Sequence, residues 1–195
     1  MLTQSSRHEG CRVRGVGGGV PGAGGGLLGA PADVWVWWAG PVFISTFEKQ
    51  LDAKRRIVAP ADFRATVAPF DGLYCFPSIE ADCIEGGGKA LFDAYAALID
   101  ELPFGDPMRT ALETSVMGGM VQLSFDSAGR ITLPEAFCDQ FGLTDWVTVV
   151  GLRDRFQIWP RDAFRDRARQ QREIAREALI ARSRQRLAAP AAANE

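Results

Sequence analysis

Two segments of the chain set a carboxylate and an arginine at the same spacing, and that pairing could do chemistry. Residues 52–63 and 126–137 share the pattern Asp-x-x-x-Arg-Ile-x-x-Pro-x-x-Phe, at an offset of 74 positions (126 − 52). The arginines, Arg56 and Arg130, can grip a phosphate or donate two hydrogen bonds to O6 and N7 of a guanine. Repetition at one fixed offset indicates two copies of one supersecondary unit.

A structural role competes with that interpretation. Each arginine could instead form an internal salt bridge with the aspartate of its own motif, Asp52 or Asp126, and so pin the turn between them. An aspartate can also accept hydrogen bonds from backbone N–H groups two residues on, and Gly129 can adopt a positive φ without steric cost. The residues alone leave both roles open, and in either role the aspartates order the loop.

The elements around each motif can be inferred from its flanks. An alternating apolar run before each aspartate indicates a half-buried strand. These runs are Phe43, Ser45 and Phe47 in the first copy and Val121, Leu123 and Phe125 in the second. Pro60 and Pro134 stand where a helix can start, at its first position. Each copy is therefore predicted to form a strand, a tight turn, a strand and a short helix, with Phe63 or Phe137 facing the core.

Composition divides the chain into six parts. Residues 1–41 form a low-complexity, glycine-rich leader that we expect to be disordered. The other predicted parts are 42–88 (first repeat), 89–116 (helical linker), 117–160 (second repeat), 161–187 (charged helix) and 188–195 (disordered tail). Strands and helices in this order predict an α+β fold.

Turn and helix signals give finer predictions for the first repeat and the linker. Residues 66–76 are predicted to form a weak hairpin turning at 70–72, and the glycines of 85–88 to break the chain. Residues 89–102 carry an apolar helical face. Asp106 is the predicted N-cap of a second linker helix, with Pro107 at its first position.

The second repeat ends in a predicted hairpin, and a charged helix follows it. Residues 146–151 and 156–159 are predicted to pair across the four residues between them. The helix 161–187 holds nine arginines against four acidic residues, a balance of +5. Its apolar seam is thin, so it is either a solvated helix or a second electrostatic contact with nucleic acid.

Charge is unevenly placed along the chain. The formal net charge is −2, which argues against a simple basic clamp for nucleic acid. Lys54, Arg55 and Arg56 are nevertheless three consecutive cations, whereas the stretch 80–113 is acidic. A protein whose net charge is close to zero can still carry a local cluster of basic residues of this kind.

The sequence lacks the residue patterns that catalytic and metal-binding proteins of the common classes need. The four cysteines (Cys11, Cys75, Cys83 and Cys138) form no Cys-x-x-Cys pair, and the one histidine, His8, lies in the leader. Zinc-finger spacing and Ser-His catalysis are therefore absent, and we expect no enzyme activity, metal site or cofactor. Cys75 and Cys138 are predicted to be buried thiols in a protein of a reducing cytoplasm. The apolar runs are shorter than the ~20 residues that a membrane helix needs.

The paired motifs, together with Phe43–Phe47, Gly72–Pro77 and Gln157–Pro160, resemble the MraZ family, two-repeat relatives of the AbrB-type swapped-hairpin transcription factors. The resemblance runs from about residue 42 to 179 and implies a small double-split β-barrel. It also implies a cytoplasmic, nucleoid-associated repressor of a division and cell-wall gene cluster that includes its own gene. Such a repressor would bind tandem G-rich direct repeats of double-stranded DNA as a ring of copies. Because family members begin Met-Phe where this chain has Val42-Phe43, we expect residues 1–41 to come from a misassigned start.

The resemblance assigns roles and also exposes two departures. Arg56 and Arg130 are the implied DNA contacts, and Lys54 and Arg55 are expected to meet phosphates. Arg55 stands where the family has a turn glycine, which predicts strain or a different turn type, and Ala128 stands where the family often has Lys or Gln. We therefore expect the first repeat to dominate DNA affinity and the second to serve more in assembly. The competing hypothesis is a scaffold or ring protein that binds a protein partner through its acidic helices.

Overall fold

The computed structural model describes residues 42–67 and 72–188, which form an α+β fold with antiparallel strands, as predicted. The strands are β1 (Thr46–Gln50), β2 (Arg56–Val58), β3 (Leu73–Pro77), β4 (Ile84–Gly87), β5 (Val121–Leu123), β6 (Arg130–Thr132), β7 (Trp146–Gly151) and β8 (Phe156–Pro160). The helices are α1 (Ala61–Val67), α2 (Lys89–Asp100), α3 (Pro107–Leu112), α4 (Glu135–Phe141) and α5 (Arg161–Ala188), and a π-helical turn (Glu113–Met117) follows α3. The predicted leader and nearly all of the predicted tail lie outside the described residues.

Equivalent elements recur at the offset seen in the sequence. β6 begins 74 residues after β2 (130 − 56), and α4 begins 74 residues after α1 (135 − 61). Each copy of the motif therefore lies in a strand, a turn, a strand and a short helix, as predicted. Both helices begin one residue later than expected, because Pro134 is the N-cap of α4 and Pro60 precedes Ala61 in α1.

The two halves of the chain exchange strands, in addition to the β3–β4 and β7–β8 hairpins that each half forms within itself. One antiparallel sheet has the order β1-β7-β8-β4-β3-β5, so β1 pairs with β7 of the second half and β5 pairs with β3 of the first. β2 and β6 pair with each other in a separate two-stranded ribbon. The closed barrel implied by the resemblance is wrong in that respect: among the described residues, β1 and β5 are the two ends of an open sheet. β2 and β6, which follow β1 and β5 in the chain, pair with each other and do not extend the sheet at either end.

The sheet has an inner face that packs on the ribbon and the short helices. Alternation along β7 and β8 directs Val147, Val149, Phe156 and Ile158 to this face, where all four side chains are buried. Their partners across the core are the buried members of the ribbon, α1 and α4, which are Ile57, Ile131, Phe63 and Phe137. Phe63 and Phe137 are 1% and 7% exposed, which confirms that the motif phenylalanines face the core.

The opposite, outer face of the sheet carries α2 and α5. The ring of Phe164 in α5 lies 6.4 Å from that of Trp159 in β8, and the ring of Tyr95 in α2 lies 5.3 Å from that of Phe76 in β3. The buried Glu85 in β4 also points to this face, where it accepts a hydrogen bond from the Tyr95 hydroxyl at 2.9 Å. The motif turns and the long helices therefore lie on opposite sides of one sheet.

Two local predictions for the first repeat are wrong. Residues 66–67 end helix α1 instead of starting a hairpin, and the proposed turn at 70–72 lies largely outside the described residues. Of the glycines that were expected to break the chain, Gly86 and Gly87 belong to β4, which pairs with β3 and β8, and Gly88 is the N-cap of α2. A Cβ on Gly86 would meet the Phe156 ring at 2.5 Å, so this glycine allows close packing inside a strand.

Other local predictions are confirmed. Asp106 caps α3 by accepting a hydrogen bond from the Met108 N–H at 2.7 Å, and Pro107 is the first helical residue. β7 and β8 pair as the predicted hairpin. Cys75 and Cys138 are buried thiols, and burial raises the pKa of Cys75 to about 12.

Candidate nucleic-acid interface

Each motif folds into a turn held by its aspartate. In the first turn, Oδ1 of Asp52 accepts hydrogen bonds from the backbone N–H groups of Lys54 and Arg56, both at 2.9 Å. In the second turn, Oδ1 of Asp126 accepts from the N–H groups of residues 128 and 130, also at 2.9 Å. The aspartates thus fix the turn backbone, as their position in the sequence predicted.

Arg55 adopts the backbone conformation that glycine has in the other turn. Its φ is 58°, against 72° for Gly129, and both residues donate a backbone hydrogen bond of 2.8 Å to the carbonyl of the motif aspartate. The predicted change of turn type therefore does not occur. The predicted strain does, because a side chain in the left-handed region costs roughly 1–2 kcal/mol.

The two turns are also bonded to each other. The N–H of Ala59 donates to the carbonyl of Gly129 at 3.1 Å, and the N–H of Leu133 donates to the carbonyl of Arg55 at 2.8 Å. These bonds are equivalent under the repeat, since 133 − 59 and 129 − 55 both equal 74. With the β2–β6 pairing between them, they join the two turns into one unit.

One face of the β2–β6 ribbon is exposed and carries both motif arginines. Ile57 lies opposite Ile131 in the register, and both side chains are buried. Because side chains alternate along a strand, the residues on either side of these isoleucines point outward. They are Arg56 opposite Thr132, and Val58 opposite Arg130. A two-stranded ribbon has the dimensions that the major groove of B-DNA admits.

Both arginines form the internal salt bridge that the sequence left open. Oδ2 of Asp52 lies 2.8 Å from Nε and 2.6 Å from Nη2 of Arg56, and Oδ2 of Asp126 lies 2.7 Å from Nε of Arg130. The hydrogen bond from Arg56 is the main reason that the pKa of Asp52 falls to about 2, and the pKa of Asp126 is also lowered, chiefly by the backbone N–H of Arg130.

The salt bridges use only some of the N–H donors of each guanidinium group. An arginine has five N–H donors, and the aspartate takes up only those on its Nε side. Within residues 42–67 and 72–188, nothing bonds to the Nη1 edge of either guanidinium, and the carboxylate fixes the orientation of that edge. The structural role and the ligand-binding role are therefore compatible in one side chain.

Three more cations stand beside these arginines. Lys54 is exposed, and the Arg55 guanidinium lies 3.6 Å from the carboxylate of Glu135 in α4. Arg64 of α1 was missed by sequence reasoning: its guanidinium covers Gly129, where any Cβ would collide with it. Residue 138, the equivalent of Arg64 in the second copy, is a cysteine, so the repeat pattern contained no signal for this arginine.

No helix in the described ranges 42–67 and 72–188 is long and apolar enough to cross a membrane.

Comparisons with known proteins converge on one family. A family model described as "MraZ protein, putative antitoxin-like" matches residues 116–187. The chain is 70% identical over 149 residues to the Transcriptional regulator MraZ of Phenylobacterium zucineum (strain HLK1), an alignment that covers 75% of this chain and 93% of the relative. It is 67% identical over 149 residues to the protein of that name from Caulobacter vibrioides (strain NA1000 / CB15N), covering 75% of this chain and 96% of the relative. The protein of that name from Rickettsia bellii (strain OSU 85-389) is 34% identical over 139 residues, covering 70% of this chain and 93% of the relative.

Proposed function

The chain belongs to the MraZ family, and from that premise we propose that it is a transcription regulator that binds double-stranded DNA through the outer face of the β2–β6 ribbon. The observation that carries the proposal is the fixed pair of arginines, Arg56 and Arg130, on one exposed ribbon face. Each is held at its Nε side by an aspartate, so little side-chain freedom would be lost when it binds.

The roles of the individual residues follow from this geometry. Arg56 and Arg130 reach guanine O6 and N7, or a phosphate, with the Nη1 edge. Lys54, Arg55 and Arg64 flank the ribbon and would neutralise phosphates. Asp52 and Asp126 order the turns and aim the arginines, and Gly129 permits the close approach of Arg64.

A single copy offers few cations, so its affinity for DNA should be modest. We propose that copies assemble into a ring of AbrB-like units that presents the same ribbon to successive direct repeats of a G-rich operator. Linking the sites raises affinity through effective concentration, without any new contact. Direct repeats match a head-to-tail, rotationally symmetric ring better than a two-fold dimer. The proposed role is repression, at the nucleoid, of the division and cell-wall gene cluster that includes this gene.

The test is a DNA-binding titration of the full chain on its own upstream fragment over a series of salt concentrations. We expect sequence-selective binding that weakens steeply with salt. Arg56→Ala should abolish selective binding, because one lost base contact costs about 1–3 kcal/mol per site and the loss recurs in every copy. Its fold should persist, since Oδ1 of Asp52 still holds the turn backbone.

Two further variants sharpen that titration. Arg169→Ala is the matched control, because it removes an exposed cation from the other side of the sheet and should bind like the wild type. Arg130→Ala should weaken binding less than Arg56→Ala, because its turn contributes no second cation. Equal binding by Arg56→Ala and wild type would refute the interface, and a greater loss for Arg130→Ala would reverse the ranking of the repeats. If the wild type ignores DNA at low salt but captures a protein, the scaffold hypothesis gains the support.

A further inference from the structure

Helix α5 extends beyond the body that it packs on. It has 28 residues, or about 42 Å at 1.5 Å per residue. Its first turns contact the sheet through Phe164 and through Arg165, whose guanidinium lies 3.3 Å from the carboxylate of Glu48. Every side chain from 173 to 186, here called the free half of α5, is exposed.

The free half of α5 nevertheless carries apolar side chains. Ile174, Leu179 and Ile180 are 57%, 70% and 43% exposed. Ile174 lies on the same helix face as Phe164 and Gln171, which line a cavity between α5 and the sheet. Exposed apolar side chains on a projecting helix indicate a partner surface.

A second exposed apolar set lies on α2, α3 and the loop between them, here called the acidic hairpin (89–117). Phe104 in the loop is 96% exposed, Met108 is 62% exposed and Leu98 is 48% exposed. Aromatic side chains of this kind are the residues that anchor protein interfaces, whereas a solvent-exposed loop rarely needs one.

The two surfaces have complementary charge. The acidic hairpin holds five carboxylates and two cations, and both cations, Lys89 and Arg109, already pair with carboxylates inside the hairpin. In the free half of α5, Arg182, Arg184 and Arg186 make no ion pair with any residue that the structure describes. Unpaired arginines thus stand beside apolar side chains on one surface, and surplus carboxylates beside apolar side chains on the other.

Both surfaces lie on the outer face of the sheet, away from the motif turns. α5 packs there on β7 and β8, and α2 packs on β3 and β4. We propose that the free half of α5 in one copy docks on the acidic hairpin of the next copy. Because the two surfaces differ, this contact is heterologous and can propagate around a ring. The inference rests on the proposed ring, but it is independent of DNA binding.

DNA is the less suitable occupant for the free half of α5. The segment also contains Glu173 and Glu177, which would approach phosphates together with the arginines. Its apolar side chains have no role on a phosphate backbone, and the helix lies across the sheet from the ribbon.

The test measures the molar mass of the full chain in the absence of DNA, by light scattering or sedimentation. Leu179→Glu alters only the helix surface and Phe104→Glu only the hairpin surface, and both residues are exposed, so folding should persist. Ile79→Glu is the matched control, since Ile79 is 51% exposed in the β3–β4 loop. We expect the wild type and Ile79→Glu to form a large oligomer and each of the other variants to be a monomer.

Mixing the two variants makes the test decisive. Each retains one intact surface, so an equimolar mixture should form a 1:1 dimer and nothing larger. Self-association of Phe104→Glu alone, with Leu179→Glu monomeric and no mixed dimer formed between them, would replace the proposal with pairing of two α5 helices. Unchanged mass in Leu179→Glu together with weaker DNA binding would assign α5 to DNA. A monomeric wild type would remove the ring and this interface together, whereas an oligomer that both variants leave intact would remove the interface alone.

Discussion

At the scale of single residues, Arg55 adds a positive charge to the first turn at a cost in backbone stability. It occupies a left-handed position in which its counterpart, Gly129, is unstrained. The turn keeps its hydrogen bonds, so the strain stays in the backbone of one residue. In return the first turn gains a third consecutive cation beside the ribbon.

Replacing Arg55 should separate these two effects. Arg55→Gly relieves roughly 1–2 kcal/mol of left-handed strain, less about 0.4–1 kcal/mol for the greater freedom of glycine in the unfolded chain. We expect a small net gain in the free energy of unfolding, measured by urea denaturation. The slope of log affinity against log salt should fall by about 1, because one phosphate contact is lost.

Arg55→Ala is the matched control, since it removes the same charge and keeps the strained backbone. It should share the reduced salt slope without the gain in stability. A salt slope unchanged in both variants would show that Arg55 does not meet a phosphate.

At the scale of elements, β4 shows where sequence patterns mislead. A Glu-Gly-Gly-Gly run is typical of a segment that interrupts regular structure. Gly86 and Gly87 nevertheless belong to β4, which lies between β3 and β8 in the sheet. A Cβ on Gly87 would meet Leu91 of α2 at 2.8 Å, and a Cβ on Gly86 would meet the Phe156 ring. The reason for Gly86 lies 70 residues further along the chain (156 − 86), so no local pattern contains it.

Gly86→Ala should therefore destabilise the fold. The added methyl collides with the Phe156 ring at 2.5 Å and with Sγ of Cys75 at 2.8 Å. Overpacking of a core typically costs about 1–3 kcal/mol, which denaturant unfolding would measure. Combining it with Phe156→Leu should cost less than the sum of the two single changes, because the smaller side chain makes room. Simple additivity would show that the ring is not the obstacle.

Local elements were predictable from the sequence to the extent that their causes are local. The Asp-x-x-x-Arg turns, the Asp106 cap and the β7–β8 hairpin depend on residues within a few positions of one another. Strand partners do not: β1 pairs with β7, and the ribbon joins two motifs 74 residues apart. The position of Arg64 could not be predicted for the same reason, because packing between the two repeats places it beside the second turn.

At the scale of the whole molecule, one sheet separates two kinds of surface. The ribbon and its arginines lie beyond the inner face, while the acidic hairpin and α5 lie on the outer face. The net charge of −2 hides this division, because the acidic hairpin offsets the cations of the turns. The proposed assembly and the proposed DNA binding would therefore use different surfaces of one chain.

That separation predicts how affinity depends on the number of DNA repeats. The assembled protein should bind a fragment with two properly spaced repeats about 10²–10⁴ times more tightly than a fragment with one. The monomeric Phe104→Glu variant should bind the single repeat as the wild type does and lose this gain. Fluorescence anisotropy with the two fragments at one salt concentration measures both quantities. An undiminished gain in that variant would mean that the linkage between sites does not pass through the acidic hairpin.

The exchange of strands between the two halves also determines when β1 can pair during synthesis of the chain. Gln50 of β1 pairs with Trp146 of β7, 96 residues later (146 − 50), so β1 leaves the ribosome well before its partner and must wait for it. At typical rates of synthesis, about 5–20 residues per second, that wait lasts on the order of 5–20 s. During it β1 is an unpaired edge, and two nascent chains on one messenger could pair there by mistake. A polypeptide cut short before β7 would keep both arginine turns and lack β7 and β8, the strands that pair with β1 and β4.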